Sequence, residues 1–243
     1  MLNPYSRTEL VIGSDAVEKL HHSRVAVFGL GGVGGSAVEA LARSGVGTLD
    51  LIDNDQVCMT NLNRQQFATV HTVGKQKTDA AEERIHDIDP AIIVHKYPVF
   101  YLPEKKELFP FCEWDYIIDC IDTVTAKLDI IEEAKSLNIP ILSSMGCGNR
   151  LDPSKLRIMD LYETSGDPLS RIMRHECRRR GIESLDVVCS LEEPVKPMAG
   201  DASDAKNQRA GSKRRSIPGS TAFVPPAAGI LAASFAVRKL IQE

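Results

Sequence analysis

The run Val25 to Gly35, VAVFGLGGVGG, constrains the fold more than any other stretch of the chain. An apolar run breaks into glycines and passes at once into SAVEALARSG, which reads as strand, tight turn and helix, the start of a βαβ unit. Gly29, Gly31, Gly32 and Gly34 carry no β-carbon, so the turn can take left-handed angles and bring peptide N–H groups close to a phosphate. The helix that follows aims the positive end of its dipole at such an anion. LDLID then reads as a second strand, and its terminal Asp53 lies 21 residues after Gly32, where a ribose-binding carboxylate belongs. A nucleotide is therefore expected on the turn.

The alternation continues. The apolar spacing predicts a helix over 8–20 broken at Gly13, a strand at 24–28, a helix at 35–44 and a strand at 48–52. It goes on with a helix at 74–87, strands near 91–96 and at 116–122, a helix at 125–137 and a strand at 140–144. Strands alternating with helices predict an α/β fold, a Rossmann-like and mostly parallel sheet with helices on both faces. Ligands of such sheets lie beyond the carboxyl ends of the strands. The pattern then loosens into a strand at 156–164, a basic helix at 169–181 and a strand at 185–190. The C-terminal part thus adds further strands and a crossover loop. Residues 193–220, rich in Gly, Pro, Ser, Lys and Arg, have no apolar period and are expected to form a mobile basic loop. With 243 residues, 43% of them hydrophobic, a single domain over 1–243 is expected.

The longest apolar tract runs from Phe223 to Val237 and opens on Pro225-Pro226. The stretch from Ala227 to Val237 falls short of the ~20 apolar residues of a bilayer span. A buried terminal helix with prolines in its first turn is expected, and no membrane. Nothing resembling a secretion signal opens the sequence, and six scattered cysteines without a C-x-x-C pair fit reduced thiols in a cytoplasmic protein. The net charge of -4 is unevenly spread. Pro168 to Glu183 holds five arginines against two glutamates, and Lys196 to Ser216 six lysines and arginines against two aspartates. An acidic body with two basic segments fits a polyanionic partner.

A hydride-transfer site needs little after its ribose acid, yet here the chain continues DNDQVCMTNLNRQ. Asp53, Asp55, Asn61, Asn63, Arg64 and Gln65 crowd polar groups beyond the second strand, and Lys77 follows at a helix start. A guanidinium fork can clamp two phosphate oxygens and an ammonium adds a movable point charge, so Arg64 and Lys77 suit a triphosphate. Asp122, expected at a strand end, can hold Mg2+ through one carboxylate oxygen and waters. Together these residues predict an ATP site.

The segments GLGGVG at 29–34, LIDND at 51–55, NLNRQ at 61–65, VGKQK at 73–77 and Asp122 resemble the adenylating family of ubiquitin-activating enzymes. That resemblance implies that Gly32 and Asp53 hold the nucleotide, that Asn61, Arg64 and Lys77 hold its phosphates, and that Asp122 holds Mg2+. It also implies a homodimer in which Arg7 reaches the partner's ATP. SRTEL at 6–10, SSMGCGNRLDPSKLRIMDLYET at 143–164, DPLSRIMRHECRRRGI at 167–182 and IPGSTAFVPPAAGILAA at 217–233 are similar to one branch. Members of that branch use ATP, in an AMP-forming, ligase-type reaction, to dehydrate and cyclise threonylcarbamoyladenosine beside the tRNA anticodon. Sulfur-carrier-activating relatives usually hold zinc on two C-x-x-C pairs; this chain has none, so no zinc is expected. A monovalent cation and a cysteine-desulfurase-linked sulfur-acceptor protein stay open as further ligand and partner.

Arg171, Arg174 and Arg178 recur at spacings that share one helix face, which Arg179 and Arg180 widen and Lys213, Arg214 and Arg215 extend as an arm. With a tRNA substrate implied, contact with the RNA backbone is expected there. Cys147 and Cys189 are candidates for a covalent step, although the substrate's own carbamoyl nitrogen can serve as nucleophile. Two rivals stand beside this expectation: adenylation of a ubiquitin-like sulfur carrier, and a nucleotide-binding sulfur-relay adaptor without turnover. A dehydrogenase comes last, because it leaves Arg64 and Lys77 without a task. Calorimetry should accordingly find ATP binding and no comparable NAD binding; NAD binding alone would remove the triphosphate site.

Overall fold

A computed structural model describes residues 3–196 and 218–242. The glycine turn does what its composition demands: the backbone of Gly29 lies at φ +86°, where β-carbons are strained, and helix α3 (Gly32–Ser44) starts three residues on. A β-carbon at Gly34 would stand 1.8 Å from the Gly29 carbonyl oxygen, so turn and helix can close only around glycine.

Strand β1 (Arg24–Phe28) leads into that turn, and β2 (Thr48–Ile52), β3 (Ile93–Tyr97), β4 (Tyr116–Asp119) and β5 (Ile141–Ser144) join it in parallel. Strand β7 (Asp186–Ser190) continues the parallel set, and β6 (Leu156–Asp160) closes the edge antiparallel to it. The seven strands run in the order β3-β2-β1-β4-β5-β7-β6. The order reverses between β1 and β4, which opens a crevice at their carboxyl ends beside the glycine turn.

Period-two burial splits the sheet residues between two cores. Val25, Val27, Leu49, Leu51 and Ile118 pack under α2 (Ser14–His22), α3, α4 (Lys77–Ile88) and α7 (Val224–Gln242). Ala26, Phe28 and Ile117 face α5 (Val124–Ser136) and α6 (Pro168–Arg179), with an aromatic group of Tyr101, Phe109, Phe111 and Trp114. That group arises from two 3-10 turns, Pro103–Leu108 and Phe111–Glu113, in a stretch with no helical or strand period.

Several expected boundaries move for local reasons. Gly13, at φ +88°, divides the N-terminal segment into α1 (Ser6–Ile12) and α2. Gly74, at φ +89°, and a bridge between Gln56 and Gln76 delay α4 until Lys77. Strand β4 stops at Asp119 rather than 122, and β6 stops at Asp160, whose side chain accepts the Tyr162 N–H and turns the chain into a 3-10 turn. Helix α6 starts a residue early because Asp167 caps it by accepting the Ser170 N–H.

Helix α7 is longer than its apolar tract. Its 19 residues make it long and apolar enough to cross a membrane by length and composition, which corrects the tract-based expectation. In the fold its small residues, Ala228, Gly229, Ala232, Ala233 and Ala236, are buried against the core and α3. Residues 197–217, most of the expected basic loop, lie outside the described residues, as do Lys213, Arg214 and Arg215.

At Gly229 a β-carbon would come 2.1 Å from the Val33 carbonyl oxygen and 2.9 Å from the Ala37 nitrogen. Helix propensity alone favours alanine over glycine by about 1 kcal/mol, whereas overpacking against backbone costs roughly 1–3 kcal/mol or more. Gly229→Ala should therefore lower the thermal unfolding midpoint; a raised midpoint would show that α3 and α7 do not cross this closely.

Candidate nucleotide site

The site starts from backbone. The Gly29 N–H donates to the Ile52 carbonyl at 2.8 Å, and the Leu30 N–H donates to Asp53 Oδ2 at 2.6 Å, so the acid after β2 holds the turn after β1. Among the described residues no side chain caps the N-terminus of α3. Its first N–H groups and its dipole are thus available to an anion, and the space at Gly31 is open.

Asp53, Asp55 and Lys77 converge. Lys77 Nζ lies 2.8 Å from Asp55 Oδ2 and 3.4 Å from Asp53 Oδ2, and the Asp55 N–H donates to Asp53 Oδ1 at 2.8 Å. The lysine is 5% exposed while the Asp55 side chain is half exposed. An ammonium held by carboxylates at the mouth of a crevice can exchange one of them for a phosphate oxygen without leaving its place.

Arg64 comes from the loop after the 3-10 turn Met59–Asn61. Its Nη1 donates to the Thr60 carbonyl at 2.9 Å and to Asn63 Oδ1 at 2.8 Å. Its stem lies against Gly32, where a β-carbon would stand 3.4 Å from Arg64 Cγ and 2.9 Å from Pro225 Cβ. Asn61 and Gln65 are nearly buried. Asn61 Oδ1 accepts the Cys58 N–H at 3.1 Å, and the Gln65 N–H donates to the Asn61 carbonyl, so both shape the loop that carries Arg64.

Asp122 is exposed, three residues past the end of β4 and ahead of α5. The acid at the strand end proper is Asp119, which sequence reasoning missed. It is wholly buried with Lys127, whose Nζ donates to Asp119 Oδ2 at 2.8 Å and to Ser143 Oγ at 3.0 Å; Ser143 Oγ donates to the same carboxylate at 2.6 Å. Asp119 Oδ1 accepts the Ile121 N–H, which fixes the stretch leading to Asp122. The signal available was Lys127 itself, a charge placed between apolar Ala126 and Leu128 on a helix.

Arg7 sits exposed on α1, a helix with no buried residue. Tyr5, just before it, is buried and donates to Asp89 Oδ2 at 2.6 Å, which anchors the helix base. The α6 arginines divide by task. Arg174 is half-buried and donates to the Thr164 carbonyl at 2.7 Å and to its hydroxyl. Arg178 stacks on the Tyr162 ring at 5.0 Å, Arg179 and Arg180 pair with Glu176, and Arg171 is exposed.

Cys147 and Cys189 are buried. Burial pushes the Cys147 thiol up to about 11 and raises that of Cys189 as well, so both stay protonated and weakly nucleophilic at neutral pH. Among the described residues no three His, Cys, Asp or Glu side chains group as a metal site.

A glycine turn, an uncapped helix N-terminus, a strand-end acid and two cations at one sheet crevice define a nucleotide-binding α/β protein. The chain belongs to the ThiF family, whose model matches residues 5–242. It is 40% identical to the tRNA threonylcarbamoyladenosine dehydratase of Bacillus subtilis, covering 100% of this chain and 96% of that one. It is similar to the solved Escherichia coli tRNA N6-threonylcarbamoyladenosine dehydratase, TcdA, in complex with ATP. The identity is 31% and the TM-score 0.86, over 98% of this chain and 94% of the other. Escherichia coli MccB, 21% identical with a TM-score of 0.68 over 99% of this chain and 64% of its own, shares the fold.

The two lysines should answer differently to removal of charge. Lys127→Met strands a buried carboxylate and should cost about 3–5 kcal/mol of stability. Lys77→Met should cost under about 2 kcal/mol, because Asp53 keeps two backbone N–H donors. Denaturant unfolding of both variants measures this; equal losses would mean that Lys77 is a structural group.

Proposed function

We propose that the protein uses ATP to adenylate the carboxylate of threonylcarbamoyladenosine in tRNA and so drives its dehydration to a ring. One observation carries the proposal: the uncapped start of α3, Arg64 and the Lys77–Asp53–Asp55 group gather around the glycine turn, at the carboxyl ends of β1 and β2. The full-length likeness to dehydratases, one of them solved with ATP, supports it.

In this account the turn of Gly29, Gly31, Gly32 and Gly34 receives phosphate through backbone N–H groups, and Asp53 accepts from a ribose hydroxyl. Arg64 and Lys77 bind the outer phosphates, while Asn61 and Gln65 hold the loop and Asp55 holds Lys77 in readiness. Asp122 would supply one carboxylate oxygen to a Mg2+ ion, which would neutralise charge on the phosphates. The protein acts in the cytoplasm as a homodimer. Arg7 reaches the partner's triphosphate, and Leu10 and Val11, 87% and 84% exposed on the same helix, are covered in the dimer.

A carboxylate is a poor electrophile because oxide would have to leave. Attack of one carboxylate oxygen on the α-phosphorus forms a P–O bond and breaks the bond to pyrophosphate, which departs. The carbamoyl nitrogen then attacks the acyl carbon, its proton passes to solvent, and AMP leaves with the former carboxylate oxygen. The nucleoside loses the elements of one water, and no enzyme thiol takes part, in keeping with the buried state of Cys147 and Cys189. Of the α6 arginines, Arg171, Arg178 and Arg179 form the face that follows the tRNA backbone, with Arg174 bracing the helix and Arg180 tied to Glu132 and Glu176.

Mass spectrometry of nucleosides from modified tRNA treated with protein, ATP and Mg2+ should record loss of one water, and Asp122→Asn should abolish it. ATP binding without any mass change would refute the proposal. Replacing Arg171 and Arg178 by alanine should weaken tRNA binding and flatten its salt dependence by roughly 0.7–0.9 in log-log slope per lost phosphate contact. ATP affinity should stay. Superimposable salt series for parent and variant would make α6 an ordinary solvated face.

A further inference from the structure

Asn63 is exposed, yet both ends of its amide are engaged by groups of opposite kind. Its Oδ1 accepts from Arg64 Nη1 at 2.8 Å, and its Nδ2 donates to the Ser220 carbonyl, 157 residues away in sequence, at 2.9 Å. The Ser220 end is itself fastened. The neighbouring Gly219 exchanges two hydrogen bonds with Asn149: the Asn149 N–H donates to the Gly219 carbonyl at 2.8 Å, and the Gly219 N–H donates to Asn149 Oδ1 at 2.6 Å. Asn149 holds a left-handed φ of +58°, and its carbonyl accepts the Val195 N–H at 2.7 Å. Pro218 lies over Gly148 so closely that a β-carbon there would stand 2.9 Å from Pro218 Cβ.

A chain of short contacts thus runs from Arg64 through Asn63 and Ser220 to the Asn149 clasp after β5. Arg64 Nη1 is held on one side by the Thr60 carbonyl of its own loop and on the other by Asn63. An arginine with several rotatable bonds loses considerable freedom on gripping a phosphate, and a preset guanidinium loses less. We infer that Asn63 is a positioning residue for triphosphate recognition: tethered to Ser220 and the Asn149 clasp, it presets the Arg64 guanidinium toward the β- and γ-phosphates. The inference rests on the triphosphate role of Arg64 proposed above.

Calorimetric titration of the whole protein with ATP and, separately, with AMP tests it. Asn63→Ala should weaken ATP binding roughly three- to tenfold, the range of one net hydrogen bond, and leave AMP binding unchanged. Its thermal midpoint should match the parent, because the side chain is exposed. Asn149→Gly tolerates the left-handed backbone and removes only the side-chain half of the clasp; it should weaken ATP in the same direction by less. Added to Arg64→Ala, Asn63→Ala should have no further effect. Equal losses of ATP and AMP, or a lowered midpoint, would make Asn63 a structural residue and overturn the inference. So would unchanged ATP affinity in Asn63→Ala while Arg64→Ala loses it. If Arg64→Ala itself keeps ATP affinity, the triphosphate role of Arg64 fails first and the inference falls with it.

Discussion

Two backbone oxygens, those of Gly29 and Val33, stand where side chains at Gly34 and Gly229 would have to be. The rest of the molecule depends on these close approaches. The first lets α3 begin directly against the turn after β1, so that its dipole and N–H groups face the crevice where the strand order reverses. The second draws α7 onto α3, which brings Pro225 and the stem of Arg64 together over Gly32. A C-terminal helix and a loop from the second βα connection thereby meet at the proposed phosphate end of the site.

Charge is arranged around that frame at two levels of burial. Asp119 and Lys127 are fully enclosed and, with Ser143, satisfy one another; such a group holds a loop in place and has no ligand to receive. Lys77 is enclosed too, but its partner Asp55 is half in water. An incoming phosphate can replace a solvated carboxylate at modest cost, whereas replacing Asp119 would leave a buried charge alone. The difference in exposure, more than the identity of the residues, separates the lysine proposed to bind phosphate from the structural one.

The turn, the acid that follows β2 and the α/β alternation were legible because each follows from local chemistry: glycine where a β-carbon cannot fit, an acid at a strand end, apolar runs of strand and helix period. Arg64 and Lys77 could be named from spacing, and the fold does bring Lys77 to Asp53 and Arg64 to Gly32. What depends on distant partners was not legible. Asp119 lay hidden behind Asp122 because both end an apolar run and only burial tells them apart. Arg174 read as one of a row of arginines, but its hydroxyl and carbonyl partner, Thr164, comes from the turn before α6. The length of α7 was understated because its last turns, past Val237, are polar on one side and buried at Leu240 on the other. The tether from Asn63 to Ser220 spans the chain and leaves no periodic trace.

In the proposed reaction a substrate carboxylate attacks the α-phosphorus of ATP beside α3. Labelling that carboxylate with 18O in modified tRNA, and recovering the AMP after one turnover, follows the oxygen that the attack transfers. One atom of 18O is expected in AMP and none in pyrophosphate. AMP free of label, or label released only as water, would show that the ring closes without an acyl adenylate and would contradict the proposed reaction.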